Sequence, residues 1–233
     1  MNRHLLGNSV HVFHADIGKE GPIDLDLCWR IIGDAERIRA ERFRYDLHRE
    51  RYVKAHGHLR QILAAYLGVP QEQVAIAVQK GGKPFIPEAG LHFNMSHSAD
   101  TAVYAVSAKG SIGIDVELFD RRVEIEDLSA HYYTPSEQSV LSSLDQKARR
   151  ESFFWLWTAK EARMKLTGEG LALDPRKIDV GMEAGLPKQY LTPQDPAATL
   201  ATVSLPGLAG ACTVAGHLPI SIEVKELSDL QGL

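Results

Sequence analysis

The chain has 233 residues, of which 24% are charged and 44% hydrophobic; these values are ordinary for a folded protein and exclude a disordered or fibrous chain. Lys and Arg number 26 and Asp and Glu 30, so the net charge of −4 argues against general nucleic-acid binding. Two cysteines, Cys28 and Cys212, are too few for a disulfide scaffold or a thiolate metal site. The sequence has no uninterrupted apolar run suited to a signal peptide or a membrane span. We therefore expect a soluble, cytoplasmic protein with one large domain or two small ones.

The first half of the chain is predicted to hold one long helix among short strands. That helix runs from Asp46 to Leu67 on a stripe of apolar residues at helical spacing and stops at Gly68. Shorter helical segments are predicted at 25–32 and 35–43, and strands at 10–13, 74–78, 91–94, 101–106 and 112–117. The run Gly81-Gly82-Lys83-Pro84 must be a loop, because two glycines and a proline oppose regular structure.

The second half repeats this order. Thr134-Pro135-Ser136-Glu137 has the spacing of a capping box, which predicts a helix from Pro135 to about Leu144. Asp145 can cap the next helix, which ends near Thr167 before Gly168. Strands are predicted at 178–180, 199–204, 211–215 and 221–224. The repeat predicts an α/β (α+β) fold with two similar subdomains, 1–109 and 110–233, divided at the polar turn over 107–111.

The run Gly113-Ile114-Asp115-Val116-Glu117 is the first candidate functional segment. In a strand, the period of two places Asp115 and Glu117 on one face. Paired carboxylates repel each other unless a cation lies between them, and Mg²⁺ prefers oxygen ligands and commonly binds carboxylates together with phosphates. The alternative is a strand with a solvated acidic face.

The helical run 153–165 is the second candidate. Phe153, Trp157 and Met164 contribute to its apolar face, whereas Glu161 and Lys165, four residues apart, share another face. An ordinary surface ion pair would explain that spacing. A carboxylate on a firmly anchored helix could instead complete a metal site, with Lys160 and Lys165 facing phosphate charge.

Ser96, His97 and Ser98 form the third candidate, between two apolar strands. Their hydroxyl and ring groups can hold a phosphate or a ribose. No G-x-S-x-G elbow surrounds the serines, so a hydrolase nucleophile has little support, and His97 could equally be a satisfied structural histidine.

These motifs follow one another in a particular order: a basic helix, Gly-Lys-Pro, Asn-x-Ser-His-Ser, Gly-x-Asp-x-Glu and Trp-x-x-Lys-Glu-Ala. From about Arg39 to Leu171 this order resembles the 4′-phosphopantetheinyl transferases of the Sfp type. The resemblance implies transfer of the phosphopantetheine arm of coenzyme A to a serine of an acyl, peptidyl or aryl carrier protein, with release of adenosine 3′,5′-bisphosphate. It also implies two subdomains related by a pseudo-two-fold axis, an active site at their interface, and a monomer.

The resemblance implies roles for individual residues as well. Asp115, Glu117 and Glu161 would hold Mg²⁺ against the pyrophosphate of coenzyme A, and Lys165 would stabilise the leaving phosphate. Glu161 would accept the serine proton, with Glu137 as a second candidate for that base. Contacts with the 3′-phosphate and adenine side of coenzyme A would come from Arg51, Lys83, Ser96 and His97.

Two other functions remain open from the residues alone. One is a different Mg²⁺-dependent phosphoryl or nucleotidyl transferase or a hydrolase, and the other is a non-catalytic protein that binds coenzyme A or a carrier. Because carrier proteins are acidic and this chain is itself negative, we expect carrier recognition to need a local patch that includes Arg121 and Arg122.

Overall fold

A computed structural model describes residues 6–19, 21, 23–193, 195–217 and 219–232. The helices are α1 (Leu25–Ile31), α2 (Asp34–Glu41), α3 (Asp46–Leu67), α4 (Ile125–Tyr132), α5 (Pro135–Ser142) and α6 (Gln146–Thr167). The strands of the first half are β1 (Ser9–Asp16), β2 (Ala77–Val78), β3 (Pro84–Phe85), β4 (His92–Ser98) and β5 (Thr101–Ser107). Those of the second half are β6 (Ile112–Leu118), β7 (Val180–Glu183), β8 (Leu186–Tyr190), β9 (Thr199–Thr202), β10 (Gly210–Gly216) and β11 (Ser221–Lys225).

Two sheets pack face to face between the two long helices. The first sheet has the order β11-β1-β5-β4 and the second the order β6-β10-β9. Strand alternation explains the layers: Phe13 and Tyr104 point toward α3, whereas Val12 and Val103 point into an apolar layer shared with Ile114 of the second sheet. Helix α6 packs on β6 and β10. The predicted α/β class is confirmed.

The two halves share the same arrangement of elements. Each has a 22-residue helix that ends at a glycine in the left-handed conformation, Gly68 with φ 67° and Gly168 with φ 78°. A two-stranded hairpin follows each helix, and then two antiparallel strands. If β11 is set aside, each sheet has three strands, in the orders β1-β5-β4 and β6-β10-β9. In both, the strand that comes last in the chain lies in the middle. The prediction of two similar α/β halves therefore agrees with the strand order.

Gly113 sets the distance between α6 and β6. A Cβ atom at this position would lie 2.0 Å from the carbonyl oxygen of Ala162 and 2.6 Å from the backbone nitrogen of Leu166. Only glycine allows so close an approach of helix backbone to strand backbone. The helix is thereby brought against the strand that carries Asp115 and Glu117.

Local signals predicted the helix ends well. Asp145 accepts a hydrogen bond from the backbone N–H of Ala148, and the Thr134–Glu137 capping box is present. Several elements differ from prediction: residues 74–76 lie outside the strand, which starts only at Ala77, Pro84 of the predicted loop begins β3, β4 extends to Ser98, and α4 and β8 were not predicted. Short elements such as β3 and β8 depend on tertiary contacts and leave little local pattern.

The last strand crosses the predicted subdomain boundary. β11 pairs in parallel with β1, with Ser221 opposite Ser9 and Lys225 opposite Phe13, so the end of the chain joins the first sheet. The division into 1–109 and 110–233 stays a prediction. Within the described residues, no helix has the length and apolar character needed to cross a membrane.

Candidate active site

The candidate site lies where β4 of the first half meets β6 of the second. Asn94, Ser96 and Ser98 alternate along β4 and are buried on the side facing β6. The amide oxygen of Asn94 accepts from the backbone N–H of Ile114 at 3.0 Å, and the hydroxyl of Ser98 accepts from that of Leu118 at 3.3 Å. Side-chain hydrogen bonds therefore join β4 to β6, which share no backbone hydrogen bonds. They fix the position of Asp115 and Glu117, which lie between the two bonded residues of β6.

Asp115 is held by a serine and a lysine. Its Oδ1 atom accepts from the Ser96 hydroxyl at 2.6 Å and from Lys165 Nζ at 2.6 Å, and the same ammonium donates to Ser96 at 2.8 Å. Its Oδ2 atom is buried without a hydrogen-bond partner. Lys165 on α6 thus contacts Asp115 on β6 across the helix–sheet interface. This contact differs from the surface ion pair with Glu161, one helical turn away, that would also explain the spacing.

Glu117 has partners on both carboxylate oxygens. Ser98 donates to Oε2 at 2.7 Å, and the Arg121 guanidinium donates to Oε1. Burial raises the pKa of Glu117, the Ser98 hydrogen bond opposes that shift, and the charge of Asp115 adds to it. Arg121 and Lys165 partly offset this raised pKa.

Glu161 adds a third carboxylate whose charge interacts with those of Asp115 and Glu117, and we call these three side chains the carboxylate cluster. It is half-buried on α6, and burial raises its pKa, with a further rise from Asp115 and Glu117. Lys165 opposes the rise. Among the described residues, no three His, Cys, Asp or Glu side chains converge closely enough to hold a metal ion. Lys165 and Arg121 instead neutralise two of the three carboxylates.

A cavity of about 410 Å³ opens beside Glu117. Its wall includes Arg51, His97, Ser98 and Arg121. Arg51 is held there by Asp100, whose Oδ1 atom accepts from Nε and Nη2, each at 2.7 Å. Partial burial lowers the pKa of His97, and nearby Lys165, His56 and Arg51 lower it further. The cavity therefore places a guanidinium and an imidazole next to the carboxylate cluster.

Comparison with known proteins identifies the family. Residues 111–205 match the model of the 4′-phosphopantetheinyl transferase superfamily, and residues 22–109 match that of a 4′-phosphopantetheinyl transferase N-terminal region. The 4′-phosphopantetheinyl transferase HetI of Nostoc is 37% identical over 175 residues, which cover 73% of this chain and 73% of that protein. The chain belongs to the 4′-phosphopantetheinyl transferase superfamily. Its activity is transfer of the phosphopantetheine group to carrier proteins.

Sfp-like relatives support the same conclusion. The 4′-phosphopantetheinyl transferase psf-1 of Bacillus pumilus is 32% identical, covering 59% of this chain and 58% of its own. Sfp of Bacillus subtilis is 27% identical, covering 61% of this chain and 62% of its own. The predicted resemblance is thereby confirmed, and the site between β4 and β6 of the transferase agrees with the predicted interface between the two halves.

Lys83 occupies a structural position in the transferase. Its ammonium donates to the Ser111 hydroxyl at 2.6 Å and to the carbonyl oxygens of Ile112 and Leu166, each at 2.8 Å. Burial lowers the pKa of Lys83 to about 8. Because all three ammonium hydrogens have protein acceptors, these contacts do not support the predicted role in binding coenzyme A; Lys83 ties the end of α6 to the start of β6.

Glu137 and Lys160 form a buried ion pair in the transferase. Each side chain is 1% exposed, and Lys160 Nζ lies 2.8 Å from Glu137 Oε2. Glu137 also accepts from the backbone N–H groups of Thr134 and Val180, and Lys160 donates to two carbonyl oxygens. Burial raises the pKa of Glu137 and lowers that of Lys160, while their mutual contact opposes both shifts. Neither the predicted base Glu137 nor the predicted phosphate contact Lys160 is supported by these contacts.

This pair gives a direct stability prediction. Glu137→Gln should lower the free energy of unfolding by about 3 to 5 kcal/mol, because it leaves the Lys160 ammonium buried without a counter-charge. Adding Lys160→Met should recover much of the loss. Urea unfolding measures the effect, with exposed Glu126→Gln as the control; a stable Glu137→Gln protein that lacks activity would instead restore Glu137 as a candidate base.

A larger cavity of the transferase lies elsewhere. It has a volume of about 1290 Å³ and is lined by the end of β1, by α1 and α3, and by the C-terminal turn. None of the predicted site residues lines it. The chemistry is therefore assigned to the smaller cavity, where the charged side chains converge.

Proposed function

We propose that Asp115, Glu117 and Glu161 hold Mg²⁺ during transfer of the phosphopantetheine arm from coenzyme A to a carrier serine, with release of adenosine 3′,5′-bisphosphate. The observation that carries this proposal is the buried Oδ2 atom of Asp115, which has no hydrogen-bond partner and whose carboxylate charge acts on Glu117 and Glu161. A buried unpaired carboxylate oxygen costs free energy unless a cation or donor reaches it.

The chemistry of the donor set fits Mg²⁺, although the three side chains would have to draw closer together to hold one ion. All three offer carboxylate oxygens, which hard cations prefer, and three such ligands leave positions on an octahedral ion for water and phosphate. Burial raises the pKa of Glu161 and repulsion from Asp115 and Glu117 adds to the rise; a divalent cation would relieve that repulsion. When bound, the metal would supply charge neutralisation at the pyrophosphate.

Lys165 and Glu161 carry the remaining steps in this proposal. The ammonium of Lys165, oriented by Ser96 and Asp115, faces the charge that develops on the leaving phosphate. Glu161 accepts the proton of the carrier serine, directly or through water. Ser96 thus orients Lys165 and Asp115. This role differs from the contact with coenzyme A that the sequence predicted for it.

Arg51 and His97 are proposed to bind the 3′-phosphate side of coenzyme A. Both line the cavity next to Glu117, and Arg51 is positioned there by Asp100. A guanidinium and an imidazole N–H are suited to a phosphate monoester. We further propose that the transferase acts as a cytoplasmic monomer on acyl, peptidyl or aryl carriers, without nucleic-acid or membrane partners.

Arg51→Ala should raise the KM for coenzyme A far more than that for dephospho-coenzyme A, which lacks the 3′-phosphate. The charge-assisted hydrogen bonds at stake contribute about 1.5 to 3 kcal/mol, or about 10- to 150-fold in KM. Steady-state transfer with both substrates measures the difference, and the control is Arg49→Ala, a partly exposed arginine on the same helix that does not line the cavity. Equal losses with both substrates would remove Arg51 from the 3′-phosphate site.

The whole proposal is tested with purified protein, coenzyme A, Mg²⁺ and a panel of apo carriers. Mass spectrometry should show addition of one phosphopantetheine group to at least one carrier, together with adenosine 3′,5′-bisphosphate. Hydrolysis of coenzyme A without carrier modification would favour a Mg²⁺-dependent hydrolase. Binding of coenzyme A without either product would favour a non-catalytic protein.

A further inference from the structure

Asp115 and Glu117 differ in what occupies their oxygens. Asp115 keeps one buried oxygen without a partner, whereas both oxygens of Glu117 are bonded, one to Ser98 and one to Arg121. Ser98 is a buried, neutral donor, but Arg121 is a cation whose side chain is 53% exposed. A metal ion that used Oε1 of Glu117 would repel the guanidinium bound to the same oxygen, so the guanidinium would be driven away from Glu117.

The backbone beneath Arg121 is held firmly while its side chain stays accessible. Arg150 of α6 donates from Nε to the carbonyl oxygen of Phe119 at 2.6 Å and from Nη2 to that of Arg121. The ring of Phe119 packs against Phe154 and Trp155. Movement of the guanidinium therefore requires only side-chain rotation and leaves the turn in place.

The cavity beside Glu117 gives the displaced guanidinium a second partner. Arg121 lines the same wall as Arg51 and His97, the groups proposed above to face phosphate. A phosphate of coenzyme A bound there would offer an acceptor with more negative charge than a single carboxylate.

We infer that Arg121 is an exchangeable counter-ion: it neutralises Glu117 before the substrates bind, and it transfers to a phosphate of coenzyme A when the metal takes Glu117. This inference rests on the proposed metal site and adds a residue that couples the two ligands. The exchange makes metal binding in the absence of coenzyme A weaker, and it makes the two ligands support each other once both are present.

The test measures Mn²⁺ binding by the electron paramagnetic resonance signal of free Mn²⁺, which does not depend on activity. Without coenzyme A, Arg121→Ala should bind Mn²⁺ about three- to tenfold more tightly than the wild type, because a competing cation is gone. In saturating Mn²⁺, the same variant should bind coenzyme A about three- to tenfold more weakly, because a phosphate contact is lost. Arg121→Lys retains the charge on a shorter side chain, so both of its affinities should fall between those of the wild type and those of Arg121→Ala. Near-ultraviolet circular dichroism checks that each variant is folded.

Arg122→Ala is the matched control, since it removes the same charge from the adjacent exposed position. It should change both affinities less than about twofold. If Arg121→Ala and Arg122→Ala changed the two affinities equally, long-range charge alone would explain the effect and the inference would be overturned. Unchanged or weaker Mn²⁺ binding by Arg121→Ala would overturn it as well. If the wild type binds no Mn²⁺ even with coenzyme A present, the proposed metal site itself is wrong; normal wild-type binding with an unresponsive Arg121→Ala overturns the exchange alone.

Discussion

Replacement of Asp115 by asparagine should reduce phosphopantetheine transfer by at least about a thousandfold and leave the protein folded. The variant keeps an acceptor for Ser96 but loses the charge that a metal would need, and removing a metal ligand disables the charge neutralisation on which phosphoryl transfer depends. Folding should be little affected, because the substitution also relieves repulsion that raises the pKa of Glu117 and Glu161.

Single-turnover transfer to an apo carrier measures the loss, and thermal unfolding measures the stability. Asp127→Asn removes the same charge from an exposed position on α4 and should retain full activity. Near wild-type turnover in a folded Asp115→Asn protein would remove Asp115 from the reaction. A large drop in melting temperature would show that its bonds to Ser96 and Lys165 are chiefly structural.

Lys165→Ala should lower kcat by about a hundred- to a thousandfold while changing coenzyme A affinity much less. The ammonium is already fixed by Asp115 and Ser96, so its contribution should grow as charge builds on the leaving phosphate. Lys165→Arg should recover only part of the activity, because the guanidinium is larger and planar.

Lys147→Ala is the control for this experiment. Lys147 lies on the same helix in an exposed pair with Glu151, at 4.0 Å, and its removal should cost a few tenths of a kcal/mol and no activity. Rapid-quench transfer together with coenzyme A binding separates kcat from affinity. Unchanged turnover in Lys165→Ala would leave this lysine with a structural role only.

Local sequence signals were strongest at the helix ends and at the acidic strand. Gly68, Gly168, Asp145 and the Thr134 capping box act through backbone groups within a few residues, so their patterns predicted helix boundaries directly. The period of two likewise placed Asp115 and Glu117 on one face. The pairing of β11 with β1 joins residues more than 200 positions apart, and no local pattern indicates such a contact.

The contacts at the site that the sequence did not predict have a physical explanation as well. Motif order grouped Lys160 with Glu161 and Lys165, but one position along a helix turns a side chain by about 100°, which directs Lys160 into the core toward Glu137. The predicted strand ends at Asn94 and leaves Ser96 and Ser98 between two strands, whereas all three lie on β4. Their polar alternation was the signal that all three face one neighbour, and it would have predicted the supporting roles of Asn94 and Ser98.

Metal binding by the carboxylate cluster is the central claim, and Mn²⁺ titration in the presence of coenzyme A tests it most directly. The wild type and Asp127→Asn should each bind one ion, whereas Asp115→Asn and Glu161→Gln should each weaken binding by at least about tenfold while remaining folded. Unchanged Mn²⁺ affinity in both folded variants would contradict the assignment of Asp115 and Glu161 as metal ligands.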